Sequence, residues 1–173
     1  MSWIAKISVV VALVVSSVVL AQEVSVSTNS MPGTDFSKYH TYKWVTIGGS
    51  NPQPNQIVDV EIKQAIDSQL ASKGLTKTDS DQADLFVGYQ AAIKERTKWT
   101  PYLDWNGNPL QQTSYMIDRG TLELDMYDPA AKQLVWTGSV TKTLDPSASQ
   151  EKRQENIDKA MGKLLKDFPP KNK

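Results

Sequence analysis

The chain has 173 residues, with 19 basic and 19 acidic side chains, one histidine and no cysteine. This length fits a single domain, and the lack of cysteine excludes disulfides, thiolate metal sites and a cysteine nucleophile. A formal net charge of zero argues against general nucleic-acid binding, which requires a basic surface. One histidine argues against a multi-histidine metal site or a serine–histidine–aspartate hydrolase. We therefore expect no cofactor, no metal site and no nucleic-acid partner.

Residues 1–21 have the pattern of a secretory signal peptide. Lys6 precedes an apolar run over residues 7–20, which is too short to cross a bilayer comfortably. Small side chains before the bond between Ala21 and Gln22 predict cleavage there, and hence a periplasmic or secreted protein. The alternative is an uncleaved leader that anchors the chain in the inner membrane. Residues 22–173 are expected to form one domain.

The first half of the mature chain predicts two strands, a helix and a third strand. Residues 23–28 alternate polar and apolar side chains, and residues 35–45 are rich in strand-forming types. The apolar side chains of the following segment recur on one helical face at Val58, Ile62, Ala65, Ile66 and Leu70. Asn55 is expected to cap this helix, and Gly74 to end it. Residues 83–93, apolar on both faces near their start, predict a central strand.

The second half predicts a hairpin and a second helix. Leu122, Leu124 and Met126 are expected to face inward on one strand of the hairpin. The inward positions of the facing strand are Leu134, Trp136, Gly138 and Val140. Ser147 and Gln150 have the spacing of a capping box at the start of the helix. Its apolar stripe consists of Ile157, Ala160, Met161, Leu164, Leu165 and Phe168.

These elements predict an α+β fold. The expected architecture is a two-layer sandwich, in which a mixed, mostly antiparallel sheet of about five strands carries two amphipathic helices on one face. The helices are expected to cover a single side of the sheet, because each has only one apolar stripe.

Several short segments occur in a recognisable order. They are Asp35-Phe36-Ser37-Lys38-Tyr39, Tyr42-Lys43-Trp44, residues 83–89, 120–125 and 134–138, and a C-terminal Phe168-Pro169-Pro170. This ordered set, which extends over residues 24–170, resembles domain-of-unknown-function family 4136 (DUF4136). The resemblance implies a bacterial periplasmic or outer-membrane lipoprotein without an assigned activity. Gln22 stands where a lipoprotein carries its lipid-modified cysteine, so no lipid anchor is expected here.

The segment over residues 99–116 is the main candidate for ligand binding. It lacks a clear period and contains two prolines and an Asn-Gly turn, which predict a long loop. The candidate ligand-binding residues are Trp99, Tyr102, Trp105 and Tyr115. Flat aromatic rings beside Asn and Gln amides are typical of a surface that binds saccharides, peptides or lipid headgroups. The alternative is a long hairpin whose aromatic side chains pack back on the sheet.

The leading hypothesis is a non-enzymatic cell-envelope module that binds an envelope component or a protein partner through this segment, with its oligomeric state left open. No catalytic residue is assigned. The alternative function is a carboxylate-based periplasmic hydrolase that uses Asp118, Asp125 or Asp128, since paired carboxylates cleave glycosidic bonds.

Other polar residues have simpler interpretations. Asp79, Asp81 and Asp84 lack the spacing of a calcium loop and are expected to stabilise a turn. His40 is expected at a strand end without a catalytic partner. Four lysines near the C-terminus are expected to be solvated, where they lie favourably at the negative end of the second helix. They are Lys163, Lys166, Lys171 and Lys173.

Overall fold

The computed structural model describes residues 24–48, 54–103, 106 and 109–170. Its elements in chain order are β1 (Val24–Ser30), β2 (Thr41–Trp44), α1 (Gln56–Ser72), β3 (Thr76–Lys77), β4 (Leu85–Leu103), β5 (Pro109–Asp128), β6 (Gln133–Thr143) and α2 (Gln150–Leu164). The predicted leader and its cleavage bond lie outside the described residues. Within those residues, no helix is both long and apolar enough to span a membrane.

All strands belong to one six-stranded sheet with the order β1-β6-β5-β4-β2-β3. The pairs β1–β6, β6–β5 and β5–β4 are antiparallel, whereas β2 pairs in parallel with both β4 and β3. The prediction of a mixed, mostly antiparallel sheet is confirmed, and β4 lies inside the sheet as expected. The described sheet has six strands rather than about five, because the two residues of β3 also pair, as an outer strand beside β2.

Both helices lie over the same face of the sheet. Leu85 and Val87 of β4 and Leu124 of β5 are fully buried in one cluster with the stripes of α1 and α2. Leu164 and Leu165 are also buried in that cluster, as the predicted stripe requires. The α+β two-layer sandwich is therefore confirmed.

The helix ends agree with the prediction for α1 and differ for α2. The Asn55 side chain accepts a hydrogen bond from the Val58 N–H at 3.1 Å, and Gly74 has a φ of +88° just beyond the C-terminus. In α2, Ser149 rather than Ser147 is the N-cap. Ser147 is held by the Asp145 carboxylate, which accepts from both its N–H and its hydroxyl, so the chain is still in a turn there.

The hairpin of β5 and β6 contains a bulge that the alternation pattern did not predict. The pairing register shifts between Met126 and Tyr127. A bulge inserts an extra residue and changes which side chains face the core. Leu134 is consequently 42% exposed, while Val135 takes the buried position that was expected for Leu134.

Only the second half of the predicted strand over residues 35–45 is a strand in the structure. Phe36–Lys38 forms a short 3-10 helix whose N-cap is Asp35, and the strand itself begins only at Thr41. Asp35 interrupts the strand because its carboxylate accepts from the Ser37 N–H at 3.0 Å, which stabilises a turn.

Candidate functional site

The expected loop over residues 99–116 is mostly β-structure, so that part of the prediction is wrong. Strands β4 and β5 continue through it, with Trp99 opposite Ser114 and Tyr102 opposite Gln111. Pro101 is accommodated because each strand of a two-stranded ribbon has a free edge, where a missing N–H breaks no ladder bond. Threonine and aromatic residues, which favour strands, outweigh the loop signal of the prolines.

This part of the hairpin extends beyond the sheet. The pairing of β5 with β6 ends at Arg119 opposite Thr143, and that of β4 with β2 ends at Val87 opposite Trp44. From Glu95 onward, β4 and β5 pair only with each other among the described residues. We call residues 95–103 and 109–118 the ribbon. At about 3.4 Å per residue, it is about 30 Å long.

The ribbon carries three of the four candidate ligand-binding residues. Trp99 and Tyr102 lie in β4, and Tyr115 lies in β5 opposite Lys98. Trp105 lies outside the described residues. The structure therefore places these three residues on one projecting hairpin, and a hairpin was one of the two alternatives for the backbone of this segment.

Lys38 and Tyr39, from the segment Asp35–Tyr39, bind a carboxylate at the end of the sheet opposite the ribbon. Asp128 is 2% exposed and accepts hydrogen bonds from the Lys38 ammonium at 2.9 Å and the Tyr39 hydroxyl at 2.8 Å. The N–H groups of Ala130 and Ala131 donate to its other oxygen, each at 2.9 Å. Burial opposes its ionisation, but the bonds from the Ala131 N–H, Lys38 and Tyr39 outweigh burial and lower the pKa of Asp128 to about 2. Asp128 is thus a structural anion that joins a turn to the 3-10 segment.

Asp84 holds the start of β2 in a similar way. One of its carboxylate oxygens accepts from the N–H groups of His40 and Thr41 and from the Thr41 hydroxyl, at 2.8 to 2.9 Å. The bond from the His40 N–H makes the largest contribution to lowering the pKa of Asp84. The interpretation of Asp84 as a structural residue agrees with these contacts. His40 itself is exposed, and its Nδ1 lies 3.0 Å from the Lys38 carbonyl oxygen.

A third acid, Asp67 of α1, binds two side chains of the next segment, Tyr42-Lys43-Trp44. Its Oδ1 accepts from the Tyr42 hydroxyl at 2.7 Å and from the Trp44 indole N–H at 2.8 Å, and its Oδ2 accepts from Lys77. Burial first, and then the bond to Asp67, raise the pKa of Tyr42. Sequence reasoning missed Asp67 because it is one of several acids on a helix, and only the fold brings it to β2.

A shallow depression of about 450 Å³ lies beside Asp128 and Asp84, between Lys38, Gln82 and Pro129. The carboxylates that line it are already bound by N–H, ammonium or hydroxyl donors of the chain itself. Within the described ranges, no three His, Asp or Glu side chains are grouped to hold a metal ion. The depression therefore offers no unsatisfied acid or base for chemistry.

The three acids of the hydrolase alternative are separated along β5. At about 3.4 Å per residue, Asp118 lies about 34 Å from Asp128, and Asp125 lies about 10 Å from it. Asp125 accepts from the Thr137 hydroxyl at 2.6 Å, whereas Asp128 is buried beneath its turn. Two-carboxylate glycosidases need the groups about 5 to 9.5 Å apart across one cleft. This arrangement gives the hydrolase alternative no support.

The remaining sequence candidates are surface residues where the structure describes them. Asp79 is exposed, and Asp81 pairs with Lys43. Lys163 lies in the last turn of α2 and Lys166 just beyond it, as expected for cations near the negative end of a helix. The other two C-terminal lysines, Lys171 and Lys173, lie outside the described residues.

The chain belongs to a family of unknown function. Residues 26–170 match the family described as "Domain of unknown function (DUF4136)", which is nearly the whole chain. The resemblance inferred from the ordered segments is confirmed by this match. A comparison with curated proteins gives no match.

Solved structures share the fold at low sequence identity. A PDZ domain protein from Parabacteroides distasonis is 14% identical with a TM-score of 0.59, and the similarity covers 88% of this chain but 37% of that one. This chain thus spans little more than a third of that protein's length. PelC from Paraburkholderia phytofirmans, solved as a dodecamer, is 12% identical with a TM-score of 0.51, covering 83% of this chain and 95% of PelC. At these identities the likeness concerns the fold alone.

Proposed function

We propose that this chain is an exported cell-envelope domain that binds an envelope component through the ribbon, without catalysing a reaction on it. The observation that carries the proposal is the extension of β4 and β5 beyond every other described strand. An isolated two-stranded hairpin is marginally stable in water, so a ribbon of this length gains stability when a partner packs against it.

The composition of the ribbon indicates the kind of partner. Trp99, Tyr102 and Tyr115 bring flat apolar rings, and Gln111 and Gln112 bring neutral hydrogen-bonding groups to the same hairpin. A hairpin whose sequence contains both aromatic and amide residues suits a partner that combines apolar faces with hydroxyl or amide groups, such as a cell-wall saccharide chain with its peptides. Because β4 and β5 continue directly into the buried sheet, the ribbon projects from a rigid base, as recognition segments commonly do.

The proposal is tested with purified cell-wall sacculi. The purified chain is expected to sediment with sacculi, and the triple variant Trp99→Ala, Tyr102→Ala, Trp105→Ala is expected to lose at least about nine-tenths of that binding. Tyr127→Ala is the matched control. It removes an aromatic ring that is 37% exposed but lies at the far end of β5, opposite Phe86.

The unfolding midpoint of each variant shows whether the sheet is intact. Equal sedimentation of the triple variant and the unmodified chain would refute the ribbon as the binding surface. If neither chain sediments, the same pair of proteins is used to retrieve partners from envelope extract. Partners that are retained by the triple variant then also contradict the proposal.

A further inference from the structure

The edge of the sheet formed by β1 is long and open. Among the described residues, β1 pairs only with β6, over seven consecutive residues without a register shift. Its sequence, VSVSTNS, contains no charge and no proline, although natural sheets commonly use such residues to block their edges. The opposite edge is protected, because β3 has only two residues and one of them is Lys77.

Alternate peptide groups of β1 point away from the sheet. The Met31 N–H donates to the Val135 carbonyl at 2.9 Å, which fixes the odd-numbered residues as those directed at β6. The N–H of Ser30 points outward and is satisfied by the side chain before it. The outward N–H and C=O groups of Val26 and Thr28, in the exposed middle of the strand, are then free to pair with an added strand.

A group of lysines flanks this edge on the helix side. Lys142 lies at the end of β6 that pairs with the start of β1, and its ammonium donates to Asn156 of α2. Asn156 shares one face of α2 with three lysines, which lie four residues before it and three and seven residues after it, so these lysines flank Lys142. Burial, followed by their positive charges, lowers the pKa of Lys142. The three α2 lysines are Lys152, Lys159 and Lys163.

The electrostatic character of this edge is therefore positive. Glu155 binds Lys152 and Lys159 and offsets only one of the four charges. Lys163 and Lys142 have no acidic partner within ion-pairing distance in the described part of the chain. A strand added to β1 would place alternate side chains on the helix side of the sheet, beside these lysines.

We propose that the β1 edge binds an extended acidic segment of a partner protein as an additional strand, with its carboxylates towards the lysines of α2. Main-chain pairing with β1 supplies the affinity, and the lysines select acidic side chains on one face of the segment. A second copy of this chain fits less well. Pairing β1 with itself would add a strand without acidic side chains, because the sequence VSVSTNS is uncharged.

The probe is a fluorescein-labelled peptide in which threonine alternates with glutamate, compared with a peptide in which threonine alternates with lysine. By fluorescence anisotropy, the glutamate peptide is expected to bind the purified chain and the lysine peptide is not. Val26→Pro is expected to weaken binding at least about tenfold, because it removes an outward N–H and leaves the ladder to β6 intact. Val26→Thr, which keeps the N–H and the strand preference, is the matched control.

The lysines are tested by the double variant Lys159→Gln, Lys163→Gln. It is expected to weaken binding about tenfold at low salt, and a control with the same change in charge, Lys73→Gln with Lys132→Gln, is expected to have no effect. Equal binding of both peptides, equal binding by the Pro and Thr variants, or absence of binding overturns the proposal.

Self-association is the competing outcome. If the chain is dimeric by light scattering and Val26→Pro makes it monomeric, β1 is an interface between copies and the acidic-partner proposal is wrong. The triple ribbon variant is expected to bind the glutamate peptide normally. The two proposals therefore succeed or fail separately.

Discussion

Asp128 gives the most direct test of how the sheet end is held together. Asp128→Asn keeps the size of the side chain but removes the charge that the Lys38 ammonium and the Tyr39 hydroxyl stabilise. It also turns an amide N–H₂ group towards one of two donor pairs, because each carboxylate oxygen accepts from two donors. The substituted carboxylate is 2% exposed, so water cannot replace the lost interactions.

The magnitude follows from the pKa. The pKa of Asp128 falls from 3.8 to about 2 on folding. This lowering of the pKa corresponds to about 2 to 3 kcal/mol of unfolding free energy at pH 7. Because the folded-state pKa is the lower one, this stabilisation is complete above about pH 5 and is lost as the pH falls towards about 2. At pH 3, about half of it should remain.

Urea unfolding followed by tryptophan fluorescence measures the effect. We expect Asp128→Asn to lower the free energy of unfolding by about 2 to 3 kcal/mol at pH 7, and by about 1 kcal/mol at pH 3. The control is Asp79→Asn, an exposed turn carboxylate that is expected to change stability by less than about 0.5 kcal/mol. A cost for Asp128→Asn that equals the control, or that is the same at both pH values, would refute the reasoning.

Three further predictions concern the helices and the sheet face that they cover. Each is measured as a change in the free energy of unfolding by urea. Glu61→Gln removes the charge and one of the two oxygens that accept from Arg153, at 2.8 and 3.0 Å, where α1 is joined to α2, and should cost about 1 to 3 kcal/mol. A double variant with Arg153→Gln should cost less than the sum of the single changes. Leu164→Ala, at a site 1% exposed, should cost about 2 to 5 kcal/mol, and a loss below 1 kcal/mol would contradict its burial. Gly138→Ala should cost about 1 to 3 kcal/mol because the added Cβ would lie 2.4 Å from the Trp136 ring, and unchanged stability would show that the ring moves aside.

The site was less predictable than the fold. The sequence marks the aromatic residues as a group, but loop signals from prolines hid their strand pairing, which depends on long-range partners such as Ser114 for Trp99. The roles of Asp128 and Asp67 were not predicted, because their donors are about 90 and 25 residues away along the chain. The open edge at β1 was also not predictable, since the strand pattern does not show which strand lies outermost.

The family, the two helices with their apolar stripes and the alternating strands could all be predicted from residue patterns along the chain. These features depend on local spacing and composition, because apolar residues that share one face of a helix or strand recur at a fixed interval along the chain. Three features became apparent only in the folded chain: the register shift after Met126, the N-cap of α2 and the extension of the ribbon beyond β6. Each of these depends on which backbone groups find partners when distant segments meet, and local periodicity carries no information about that choice.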